Sequence, residues 1–189
     1  INKAYLHRVS LSSSGFFKTS KIHINTKTLK GRPFLYFAYG AAVSEVIIDT
    51  LTGENKLLQV DIIHDVGNSI NKRIDKGQIE GGFIQGLGWL TTEEISWKLD
   101  GKLQTHSPST YKIPTSGETP FKLNVEIYNR GFNKEDVINR SKAVGEPPFM
   151  LAISSFIAIK DAVYNANENK DSSMLIAPAT PENILNSIN

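Results

Sequence analysis

The stretch Gly77-Gln78-Ile79-Glu80-Gly81-Gly82-Phe83-Ile84-Gln85-Gly86-Leu87-Gly88-Trp89 decides how this chain folds, because two of its signals pull against each other. Ile79, Phe83, Leu87 and Leu90 recur at spacings of four, four and three, which predicts a helix from Asp75 to about Thr91 with those side chains on one face. Yet five glycines fall within twelve residues, and each costs a helix interior about 1 kcal/mol relative to alanine. Something must come close to this helix. Another backbone packed tightly against it would explain the glycines. So would a large ligand lying against the helix start, where free N–H groups and the Gln78 amide can donate hydrogen bonds.

Upstream, residues 33–49 (PFLYFAYGAAVSEVIID) are rich in aromatic and β-branched side chains, and Leu57–Ile63 is a second apolar run. The turn-forming Leu51-Thr52-Gly53-Glu54-Asn55 between them predicts a hairpin. Downstream, Ile95–Leu99 and Lys102–Thr105 flank Asp100-Gly101, a pair suited to the positive φ angles of a tight hairpin turn. FKLNVEIY, residues 121–128, alternates so that Phe121, Leu123, Val125 and Ile127 share a face, the clearest strand in the chain. A second long helix is expected to open at Pro147-Pro148 and run through FMLAISSFIAIKDAVYNA. Being apolar nearly all round, it is expected to be buried. Thr180-Pro181-Glu182 reads as an N-cap and first turn of a short terminal helix. Loops are expected at 11–33, 106–120 and 129–142. The predicted class is α+β, a mixed or antiparallel sheet with two longer helices, and residues 1–189 form one domain or part of one.

Composition narrows the function. The 21 basic and 19 acidic residues leave a formal charge of +2, so neither nucleic acid nor a membrane surface is expected as a partner. With no cysteine, the chain holds neither disulfides nor a cysteine-ligated iron–sulfur cluster. The longest apolar stretch, Phe149–Ile159, is about half the ~20 residues that span a bilayer. The first eight residues lack the apolar run of a signal peptide, and cytoplasmic residence is expected. The chain opens on Ile rather than Met, which points to a processed product or a fragment.

Several familiar chemistries are excluded by spacing. The glycines do not follow the dinucleotide-binding order and lack the Lys-Ser/Thr ending of a phosphate loop. There is no Gly-x-Ser-x-Gly elbow. His7, His23, His64 and His106 are too dispersed for a local metal motif, and no metal site is assigned. His106-Ser107-Pro108-Ser109-Thr110-Tyr111-Lys112-Ile113-Pro114 is either a rigid loop beside a ligand or only a turn. Glu146, in Ser141-Lys142-Ala143-Val144-Gly145-Glu146-Pro147-Pro148, is locked between glycine and proline at the start of an apolar helix. A partly desolvated carboxylate there suits a general base. The simpler explanation, an acid stabilising the helix dipole, is the stronger one on local physics alone.

Taken together, Tyr39–Val46, Asp65–Asn71, Gly77–Gly88, Pro108–Pro114, Ser141–Pro148 and Pro178–Glu182 resemble, in the same order, the molybdenum hydroxylase family of xanthine dehydrogenases and aldehyde oxidases. The likeness is to the C-terminal part of their molybdopterin-binding subunit, nearest to the xanthine dehydrogenases. GQIEGGFIQGLG and KAVGEPP are its most specific motifs, and they reverse the judgement on Glu146.

The resemblance implies a cofactor-binding role for Gly77-Gln78, with Gln78 contacting molybdopterin, and makes Glu146 the catalytic base. It implies oxidation of purines such as xanthine and hypoxanthine, or of related N-heterocycles, with water as the oxygen source. Aldehydes are the alternative substrate class, and a non-catalytic module with the same fold is the alternative role. Electrons would leave through iron–sulfur clusters and FAD on other chains or domains. The implied partners are those centres, the rest of the molybdopterin-binding domain and a small-molecule substrate, in an oligomeric assembly. Asn71-Lys72 departs from the Asn-Pro often found there in the family. The family's cofactor domain is several hundred residues longer, so this chain is expected to be inactive alone. If the implied roles hold, Gln78 and Glu146 must face a common cavity.

Overall fold

The structure, a computed structural model, describes residues 1–168 and 175–189. The chain divides into two compact units, Ile1–Tyr36 and Phe37–Asn189. In the first, helix α1 (Asn2–Leu6) precedes a short antiparallel ladder of β1 (His23–Ile24) and β2 (Gly31–Arg32). The ladder lies inside a stretch expected to be only loop. This unit has seven Lys/Arg and no Asp or Glu, so the near-neutral total conceals an uneven distribution that the composition alone did not reveal.

The second unit is built on a sheet of order β3-β4-β5, comprising β3 (Gly40–Ile48), β4 (Asn55–His64) and β5 (Lys122–Ile127). The predicted hairpin forms: β3 and β4 run antiparallel from Gly40↔His64 to Ile48↔Asn55, with a register shift at Glu45/Val46. Gly53 takes φ 75° in its turn, a conformation open to glycine at little cost. β5 pairs with β4 in parallel, Gln59↔Lys122 through His64↔Ile127, so the sheet is mixed. Parallel neighbours need a crossover, and it contains helix α2 (Lys72–Thr91). The Asp100-Gly101 hairpin is reduced to one bridge, Trp97↔Leu103, around Gly101 at φ 81°.

α2 begins at Lys72, three residues before the predicted start. Asn71 caps it by accepting from the Arg73 and Ile74 amides, which satisfies donors that would otherwise be stranded. Its inward face is the predicted one. Ile79 and Phe83 are fully buried and Leu87 nearly so, packed with Leu57, Val60, Ile62 and Val125 of the sheet. Each such side chain contributes about 1.5–3 kcal/mol through lost apolar exposure.

The second long helix starts as a 3-10 turn at Pro147–Ala152 and continues as α3 (Ile153–Ala166). The expectation that it is buried all round is corrected. Ala152, Ile159 and Val163 face the cores, whereas Met150, Ile153 and Ile157 are exposed. Apolar composition identifies a helix that needs cover without showing that these residues provide it. Together the two segments have the length and hydropathy of a membrane-spanning helix. Ser44 of β3 nevertheless hydrogen-bonds Ser154 and Ser155, seating α3 on the sheet. Ile159, Val163, Leu175, Ala179 and Ile184 form a second core, beneath α4 (Pro181–Ile188) and its Thr180 cap.

Candidate functional site

The glycines of α2 separate into two groups once their surroundings are known. A Cβ on Gly82 would meet the Gly145 carbonyl oxygen at 2.9 Å and Pro148 Cβ at 3.2 Å. One on Gly86 would run into the Phe149 backbone, and one on Gly88 into Pro114 and Glu93. These three are packing glycines: they let the Gly145–Phe149 segment and Pro114 lie directly on the helix. Gly77 and Gly81 have nothing within 4 Å of a Cβ, so chain packing does not account for them.

Gln78 shares a helix face with Gly82 and Gly86, at intervals of four, and is exposed. Its side-chain oxygen comes within 3.3 Å of where a Gly145 Cβ would be. Glu146 is the next residue and is also exposed. It precedes the 3-10 turn without capping it through its side chain. The proposed partial desolvation of Glu146 is therefore not supplied by the described residues. Of the helix-start donors expected beside a ligand, the Arg73, Ile74 and Asp75 amides are taken by Asn71, and Gln78 lies within the helix. What projects here is the Gln78 side chain, not backbone N–H groups.

The Glu146 loop is tied down from its other side. Gly67 and Ser141 form an antiparallel bridge, the Lys142 amide donates to the Val66 carbonyl at 2.9 Å, and the Asn68 amide donates to the Arg140 carbonyl at 3.1 Å. Lys142 Nζ reaches Asp65 at 2.5 Å, with only 7% and 12% of the two side chains exposed. Asp65 spends its other oxygen on the Gly67 amide, 2.8 Å away. Beside it, His64 is 1% exposed, and burial pushes its imidazole below the usual value, partly offset by the Asp65 carbonyl and charge. Sequence reasoning missed Asp65 and Lys142 as a pair; they are 77 positions apart, and no local spacing links them.

The His106–Pro114 segment turns on itself, and with Ile95, Trp97 and Leu103 it lines an open apolar cavity. Ser107, Ser109 and Thr110 hydrogen-bond among themselves, and Tyr111 donates to Glu93. Because Pro114 meets Gly88, ten residues beyond Gln78, it lies about 15 Å along the helix from that amide. The hydrogen bonds that these hydroxyls make among the described residues are local, within 107–110.

An exposed amide on Gln78 near Gly145, with the exposed Glu146 next in the chain, stands beside helix positions bare of Cβ atoms and suits a large polar ligand lying across the Gly77–Gly81 surface. The donor set fits an organic cofactor with amide-accepting oxygens or ring nitrogens. Among the described residues no three His, Asp or Glu gather to hold a metal directly.

Comparison with known proteins gives a consistent result. Residues 1–120 match the family described as molybdopterin cofactor-binding domain. The chain is 50% identical over 192 residues to xanthine dehydrogenase/oxidase of Felis catus, covering 98% of this chain and 14% of that relative. Among solved structures, quinoline 2-oxidoreductase from Pseudomonas putida 86 aligns with a TM-score of 0.66 and 28% identity, covering 76% of this chain and 17% of that one. Aldehyde oxidoreductase from Desulfovibrio gigas aligns with a TM-score of 0.65 and 26% identity, covering 88% and 17%.

Proposed function

Since this chain belongs to the molybdopterin cofactor-binding domain family, we propose that residues 1–189 are one segment of a larger molybdenum-dependent hydroxylase and supply its catalytic base and a cofactor-holding amide. The observation that carries the proposal is the approach of Gln78 to Gly145, which brings an amide to the residue directly before Glu146. In this reading the Gln78 side chain donates to the pterin, and Gly77 and Gly81 leave the surface on which it lies. When bound, the cofactor provides the oxygen nucleophile and takes up two electrons. The Glu146 carboxylate would accept the proton given up when an electron-poor carbon of the substrate is hydroxylated. Its lack of side-chain capping leaves both oxygens available for this.

The chain spans 14% of the length of the relatives it matches, and the remaining segments are proposed to complete the cofactor cradle, desolvate Glu146 and grip substrate. The substrate class is a purine, xanthine or hypoxanthine, or a related N-heterocycle, with water as oxygen source; 50% identity to a xanthine dehydrogenase/oxidase supports this. Aldehydes are the second reading, favoured by the likeness to the Desulfovibrio gigas oxidoreductase. Iron–sulfur and FAD centres on other domains or chains would carry the electrons away, in a cytoplasmic, oligomeric assembly.

The test is Glu146→Gln in the complete enzyme. Loss of a general base lowers turnover by about 10²–10⁴-fold, so xanthine hydroxylation per molybdenum should fall by that much while molybdenum content holds. An unchanged rate per molybdenum removes Glu146 from the mechanism. Xanthine and a simple aldehyde assayed side by side decide the substrate class.

A further inference from the structure

We infer that Asp65 and Lys142 are a positioning pair that sets where the Glu146 carboxylate stands, an inference that rests on the reading of Glu146 as the base. Glu146 has no side-chain hydrogen bond to hold it at its helix start, so its place is inherited from the backbone on either side. On the C-terminal side, Pro148 and Phe149 lie on the bare face of α2 at Gly82 and Gly86. On the N-terminal side, Val144 is anchored in the core at 5% exposure, and before it stands Lys142.

Lys142 is held from three directions. Its amide donates to Val66, its Nζ is paired with Asp65, and that Nζ lies 5.5 Å from the centre of the Tyr39 ring, within cation–π range. Asp65 is equally constrained: one carboxylate oxygen accepts from Gly67, and its own amide donates to the Tyr39 carbonyl at 2.8 Å. A buried ion pair is a poor device for stability alone, because an apolar pair of matching volume does as well or better. What it offers over apolar contact is direction. The Nζ–carboxylate bond fixes one end of the five-residue segment 142–146 whose other end is Glu146, and the Gln78 side-chain oxygen lies 3.3 Å from where a Cβ on Gly145 of that segment would stand. Release of Lys142 would let the carboxylate shift relative to a cofactor held by Gln78.

The experiment uses the complete enzyme with Lys142→Met/Asp65→Leu, which removes both charges together, and Asp65→Asn, which keeps side-chain shape. Turnover per molybdenum at saturating substrate should fall about tenfold or more in the double variant, the size expected when a reacting group is slightly misplaced. In Asp65→Asn the fall should be smaller but measurable. KM and molybdenum content should stay near wild type, hydrogen exchange across 141–146 should rise, and Lys142→Arg should recover most of the rate. The inference is overturned if the double variant or Asp65→Asn turns over at the wild-type rate per molybdenum, or if either loses only molybdenum content. Glu146→Gln run in parallel separates the two claims. A fully active Glu146→Gln enzyme sinks the base assignment, whereas an inactive one beside a fully active double variant sinks only the positioning pair.

Discussion

Gln78 and Gly145 approach each other across the two motifs of this chain: the glutamine side-chain oxygen lies 3.3 Å from the point a Gly145 Cβ would occupy. Gly145→Ala places a methyl group there. The obstructed atom is the far end of a flexible side chain, so the fold should tolerate the change, with stability altered by about 0.5 kcal/mol or less. Gln78 must swing aside, however, and the complete enzyme should retain less cofactor. Molybdenum content per protein, measured beside an unfolding curve, checks both halves. Full cofactor content would show that Gln78 is not placed by this contact.

Gly86 and Gly81 should respond in opposite directions. Gly86→Ala drives a methyl into the Phe149 backbone, which cannot rotate away, and overpacking of this kind costs about 1–3 kcal/mol. Gly81→Ala meets nothing within 4 Å and gains up to about 1 kcal/mol of helix propensity. Hydrogen exchange along α2 should speed up in the first and slow in the second. If Gly81 is a cofactor surface, that second variant should nonetheless load less molybdenum.

His64 supplies a pH prediction. Burial holds its folded-state affinity for a proton below the ordinary value of 6.5, so the unfolded chain takes up a proton first as pH falls. Stability is therefore full above pH 6.5 and declines below it, towards the folded-state value. His64→Gln should flatten that decline, seen in unfolding midpoints at about pH 7.5 and about pH 5.5. An equal acid loss in the variant would assign the effect to other groups.

Glu118 predicts a second, more acidic transition. Its hydrogen bond from Lys112, then those from Thr115, hold the carboxyl at about 2, well below the ordinary 4.5. The associated stability is present above pH 4.5 and lost as pH falls towards 2. With 59% of the Lys112 side chain exposed, solvent screens the pair to about 1 kcal/mol. Proteolysis of the 106–120 segment should accelerate over that range, and Glu118→Gln should be fast at every pH.

Much of this was legible in the chain itself. The face of α2 follows from Ile79, Phe83 and Leu87, because helix period and burial are one physical fact. Gly53 marks the β3–β4 turn for a similar reason. The glycines of α2 were not separable, since a glycine bare for packing and one bare for a ligand carry the same letter; only the neighbours of Gly82 and Gly77 tell them apart. Nor could alternation in β5 reveal a parallel partner, which depends on a crossover rather than on local pattern. The Glu146 motif named its residue through resemblance, while its exposed setting and the Asp65–Lys142 pair needed three dimensions.

The tie between Asp65 and Lys142 spans 77 positions, and this has a consequence for biogenesis. Loop-closure entropy must be met before a contact this non-local rewards it, and such pairing forms slowly. The Gln78 helix lies inside that loop in the sequence, and the Glu146 segment just beyond it. On the proposed reading of Gln78 and Glu146, a nascent chain still lacking residue 142 would hold only half of the cofactor surface, and prosthetic-group insertion would wait until translation has passed the second motif.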